Sequence, residues 1–180
     1  MKNHKFLAAA GAILALTQSQ VALAQAGATP CIKQADLADA VVYAMPALIG
    51  AFQAKCGASL ASDGFMKTKG PQLAASYTAM QPAVWPGAWR FLLNFTQDNS
   101  KAKAGGMADM LAGLPSDAVR PIVDALIQQE VSKEIPLKDC ANIERGISLL
   151  APLPPENMGG LTVFLFQMAK VKKPTICGTK

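Results

Sequence analysis

Residues 34–56, QADLADAVVYAMPALIGAFQAKC, decide how this chain folds. Leu37, Val41, Met45, Leu48 and Phe52 recur at the three- and four-residue steps of a helix face, with Val42, Ile49 and Cys56 beside them. The phase carries on across Pro46, so the spacing predicts one helix kinked at the proline rather than two helices joined by a turn. Such a helix rises about 1.5 Å per residue and holds its ends more than ~30 Å apart.

That length bears on the cysteines. Cys31, Cys56, Cys140 and Cys177 are an even number, too widely spaced for a zinc cluster or a CxxC redox motif, and read as two disulfides formed in an oxidising compartment. A disulfide spans at most about 7 Å between Cα atoms. An unbroken helix over 34–56 therefore forbids Cys31–Cys56 and, by complementarity, Cys140–Cys177, leaving the two crossed pairings open. Against this, Cys140 and Cys177 flank a helical hairpin, CANIERGISLL and MGGLTVFLFQMAK joined by APLPPEN, whose two ends should meet. Both inferences cannot hold, and the continuous helix carries more weight. Each bridge closes a long loop and contributes on the order of 3–4 kcal/mol in the chain-entropy picture.

The first 26 residues read differently from the rest. Lys2 and Lys5 precede an apolar run from Phe6 to Leu16, and Ala22-Leu23-Ala24 and Ala24-Gln25-Ala26 follow as small-residue cleavage patterns. This is the order of a secretory signal peptide, and its apolar run is too short to span a bilayer. Residues 27–180 are then a single domain, large enough to bury a sizeable core, expected in the periplasm or outside the cell, with no transmembrane anchor.

Processing changes the chemistry that remains. The formal charge falls from 17 − 12 = +5 to 15 − 12 = +3, because residues 1–26 hold two lysines and no acid. The cations are scattered apart from Lys170, Lys172, Lys173 and Lys180, which form a short basic tail, so no nucleic-acid partner is expected. His4 is the one histidine, and it leaves with the leader. Imidazole-based nucleophile systems and His-ligated metals are excluded from the mature chain.

Downstream, PQLAASYTAMQ reads as a helix opened by Pro71, and Pro86 reads as the start of another running to about Gln97. In that second segment both tryptophans and one of three arginines stand together as WPGAWR, residues 85–90. Trp89 is expected in the core, Trp85 at the helix entrance beside Pro86, and Arg90 pointing outward. An exposed aromatic pair stacking on Arg90 or a ligand cation is the functional alternative, which makes Trp85, Trp89 and Arg90 the candidate binding residues.

NSKAKAGG (99–106) reads as a loop and MADMLAGLP (107–115) as a short helix. In SDAVRPIVDALIQQEVSKE, Ser116 is a good N-cap, Pro121 can displace the start, and Val119, Ile122, Val123, Leu126, Ile127 and Val131 make a buried stripe. Asp139 caps the helix whose Ile143, Ile147 and Leu150 face inward. GGLTVFLF would also suit a strand, but it would lack a partner, so it reads as helix. The fold class is all-α: a single compact bundle of about six or seven helices held by two disulfides.

No residue set demands catalysis. Asp36 and Asp39 sit where first-turn acids complement a helix dipole. Glu130 and Glu134, and Glu144-Arg145, read as solvated surface. Ser59, Ser62, Ser76, Ser116, Ser132 and Ser148 lie in no G-x-S-x-G or S-x-x-K sequence, and there is no phosphate loop, dinucleotide fingerprint or EF-hand. Gly159-Gly160 reads as a place of close helix approach, and the scattered methionines as core filling rather than a copper site. No cofactor and no metal are expected. The function expected is a non-enzymatic binding or interaction module of the cell envelope that engages another protein or a small apolar ligand. The alternative is a hydrolase or lyase working through Asp, Glu, Lys or Tyr without histidine.

Overall fold

α1, Gln34–Cys56, is the central helix, and it runs through Pro46 without a break. A computed structural model of the chain describes residues 31–100, 113–171 and 174–178. The leader, the proposed helix over 107–115 except for its last three residues, and Lys172, Lys173 and Lys180 lie outside the described residues. Those described belong to one unit that begins at Cys31.

After α1 come α2 (Phe65–Thr68), α3 (Gly70–Ser100), α4 (Ser116–Glu134), a 3-10 turn at Leu137–Asp139, α5 (Cys140–Leu150) and α6 (Pro155–Met168). The all-α reading holds: six α-helices and no strand are found among the described residues. GGLTVFLF is helical within α6, with Pro155 in its first turn.

α1 packs against α3, α4 and α6. By length and a mean hydropathy of 1.4 it is also the one described helix that could cross a membrane. Here those three neighbours cover it, and Val42, Tyr43, Ile49 and Phe52 enter one apolar cluster with Met66, Tyr77 and Trp85. A second cluster joins Ile32 and Leu37 to Val163 of α6 and Ile176.

The bridges avoid Cys31–Cys56, as the helix length requires, and take the nested one of the two remaining pairings. Cys31 pairs with Cys177 at a Cα separation of 5.1 Å, and Cys56 with Cys140 at 5.6 Å. Beside the first bridge, Ile32 N–H donates to Thr175 O at 2.8 Å and Cys177 N–H to Ile32 O at 2.9 Å, a single parallel bridge that ties the two ends of the unit. Gly159 permits α6 to lie close to α1, because a Cβ there would stand 2.8 Å from the Ala38 carbonyl oxygen.

Several local expectations are overturned. PQLAASYTAMQ and WPGAWRFLLNF are not separate helices but parts of the 31-residue α3, with Pro82 and Pro86 inside it. Both prolines lie on its exposed side, where water can serve the carbonyls they leave without a donor. α4 starts at Ser116 itself, after Pro115, and Pro121 lies inside it rather than displacing its start. Neither Ser116 nor Asp139 makes a side-chain cap. Of the stripe expected to be buried on α4 only Val119 is fully so, and Ile122 is exposed; on α5 Leu150 is exposed while Ile143 and Ile147 pack on the core.

Candidate functional site

The WPGAWR stretch sits at the middle of α3 against α1, and its roles differ from those expected. Trp85 is the core residue, at 3% exposure, while Trp89 is half-buried. Tyr43 of α1, Trp85 and Trp89 form an aromatic ladder with ring centroids 4.7 and 5.7 Å apart. Gly87 faces α1 directly, since a Cβ at this position would collide with the Asp39 carboxylate.

Arg90 does not simply point outward. Its Nε and Nη2 both donate to Asp36 Oδ1, at 3.0 and 2.8 Å. Asp36 is 3% exposed, so this first-turn acid is a buried anchor of the α1–α3 contact rather than a solvated dipole partner. Burial and the neighbouring Asp36 raise the Asp39 carboxyl above its ordinary range, and Arg90 opposes them. One turn further along, Gln81 Nε2 donates to the Tyr43 carbonyl at 3.0 Å, next to the Val42 carbonyl that Pro46 leaves without its usual donor.

A second polar group, which the sequence reading did not single out, lies beside Tyr43 and Trp85. Arg120 and Asp124 are one turn apart on α4, and the Arg120 guanidinium lies 5.1 Å from the Trp85 ring centre. Tyr43 Oη, Trp85 Nε1, Arg120 Nε and Asp124 Oδ1 are all buried with no hydrogen-bond partner among the described residues. Burial, then the nearby Asp124 carboxylate, pushes the Tyr43 hydroxyl well above its usual range, although no hydrogen bond of ordinary geometry closes between them. Burial likewise raises Asp124, against the lowering effects of Tyr43 and Arg120. The i, i+4 spacing of Arg120 and Asp124 was the available signal, but only the position of α1 and α3 gives it meaning.

The other candidates separate into structural roles. Glu144 Oε1 accepts from Met66 N at 2.9 Å, tying α5 to the start of α2. Glu130 pairs with Lys133 at the surface at 2.8 Å. Met66 and Met158 fill the core, whereas Met168 is exposed. Among the described residues no three His, Cys, Asp or Glu side chains gather as a metal site would require.

Two surface features remain. A groove of about 590 Å³ runs between the start of α3 and the α5–α6 connection, lined by Phe65, Leu73, Leu153, Pro154, Lys69 and Gln72 among others. On α6, Gly159 and Val163 face α1, and on the other side Phe164, Leu165 and Met168 are exposed at 54%, 52% and 66%. Comparison of the chain with models of protein families, with curated proteins and with solved structures finds no match.

Proposed function

We propose that this chain is a non-enzymatic interaction module of the cell envelope, exported by cleavage of residues 1–26 and docking a partner protein on the outer side of α6. The observation that carries the reading is the apolar row Phe164, Leu165 and Met168 on the side of α6 turned away from α1. A helix apolar on both sides is ordinarily covered on both sides, and three large apolar residues grouped on one surface helix are more than scattered exposure. The two disulfides suit an oxidising compartment outside the cytoplasm.

The enzymatic alternative has less support. It needs carboxylates converging in a cleft from separate elements. The residues lining the 590 Å³ groove include Lys69 and no acid, and Asp36 is engaged by Arg90.

The test is capture from a periplasmic extract by the mature, oxidised protein beside its Phe164→Glu/Met168→Glu variant. The variant should keep its melting temperature, because both side chains already face water, and lose whatever the parent captures. Identical capture by both proteins would remove α6 from the reading.

A further inference from the structure

Two neighbouring glycines on α6 have opposite surroundings. A Cβ on Gly159 would stand 2.8 Å from the Ala38 carbonyl oxygen, so the approach of α1 requires glycine there, whereas a Cβ on Gly160 would meet nothing within 4 Å. Glycine weakens a helix interior relative to alanine, and among the described residues nothing fills the space it leaves at Gly160. The step of four places Glu156, Gly160, Phe164 and Met168 in one row along the helix, and all four are exposed.

A row that offers a gap at one step and a bulky ring at the next is complementary to itself. When a second α6 is laid antiparallel about a two-fold axis passing between Gly160 and Phe164, Phe164 of each copy falls over Gly160 of the other. The same axis brings Glu156 of each copy level with Met168 of the other, close to Lys170 at the helix end. Glu156 and Lys170 are exposed, opposite in charge, and without an ion-pair partner among the described residues. At their exposures Phe164, Leu165 and Met168 present roughly 400 Å² per copy, so two copies approach the ~1,000 Å² at which a specific interface begins once the charged rim is added. A contact of that size gives a reversible dimer.

We propose, resting on the reading of α6 as a docking surface, that the protein docked there is a second copy of this chain, in a two-fold dimer that seats Phe164 over Gly160 and pairs Glu156 with Lys170 at the rim.

Sedimentation of the mature, oxidised protein from micromolar to near-millimolar concentration should show a monomer–dimer equilibrium that stops at the dimer, because a two-fold contact closes on itself. Phe164→Glu should raise the dissociation constant about tenfold or more. Gly160→Leu discriminates further: a better helix former at an open position should melt no lower than the parent at low micromolar concentration, yet it fills the gap and should weaken the dimer by a similar factor. Glu156→Lys should weaken the dimer severalfold, and adding Lys170→Glu should restore it. Circular dichroism melts establish that each variant is folded. The second copy is overturned if the parent stays monomeric throughout, if association runs on past the dimer, if folded Phe164→Glu or Gly160→Leu dimerises as the parent does, or if the charge-exchanged variant is no better than Glu156→Lys. A monomeric parent whose capture of a different protein still depends on Phe164 and Met168 overturns the second copy alone and leaves α6 a docking surface.

Discussion

Arg90, next in sequence to Trp89, and Arg120, lying over the Trp85 ring, pair in opposite ways. Arg90 reaches from α3 to α1 and places two donors on the buried Asp36. Arg120 binds an acid of its own helix, Asp117, which is exposed, and leaves its inner nitrogen without a partner over Trp85. A charge pair that crosses between helices fixes their register and is complete. One that stays on a single helix turn holds no second helix in place.

The comparison can be broken most forcefully through the ladder they share. Trp85→Ala should cost roughly 3–5 kcal/mol in urea denaturation, the range for truncating a large buried aromatic. Half-buried Trp89 should cost clearly less. Equal losses would mean that the two rings are one core unit and that the Arg120 side is no looser than the Arg90 side.

The arginines themselves come next. Arg90→Met strands the Asp36 carboxylate in a buried position, whereas Arg120→Met removes an already unpartnered nitrogen and should change stability by no more than about 1 kcal/mol. The order of melting temperatures, parent close to Arg120→Met and both above Arg90→Met, checks the contrast. The reverse order would place the structural clamp on α4.

The smallest effect at neutral pH is expected from Tyr43→Phe, which deletes an orphaned hydroxyl and should leave stability within about 1 kcal/mol of the parent. Its signature lies at alkaline pH. Because burial raises Tyr43 above its ordinary value of 10.0, the unfolded chain releases that proton first. The folded state therefore binds more protons there, and stability present below about pH 10 is lost as pH rises through the folded value. Tyr77, also raised by burial, adds to this loss, so Tyr43→Phe should flatten the alkaline decline without abolishing it.

Much of the architecture is legible because α1 is unambiguous. Its apolar phase survives Pro46, and its length alone rules out Cys31–Cys56. The hairpin ending at Cys140 and Cys177 pointed the other way because it ignored what else its ends could meet. Cys140, at the start of α5, meets the end of α1 at Cys56, and the chain after α6 returns to Cys31.

Proline misled the reading of α3, since the same residue suits a first helical turn and the watered side of a long helix, and local sequence does not distinguish them. Treating Pro86 as a beginning put Trp85 at an entrance when it is the inner ring of the ladder. Asp36 was legible as a first-turn acid but not as a buried one, because its burial depends on α3 lying across it. Arg120 and Asp124 went unnoticed for the same reason: their significance comes from Tyr43 and Trp85 on two other helices.

The bridges are nested, Cys56–Cys140 lying inside the interval closed by Cys31–Cys177. A protease that cuts the backbone once between residues 31 and 177 thus liberates no piece. The severed halves stay sewn together by sulfur, and only a thiol reductant separates them on a gel. One cut in any exposed stretch between residues 31 and 177 leaves the two bridged parts in one covalent whole.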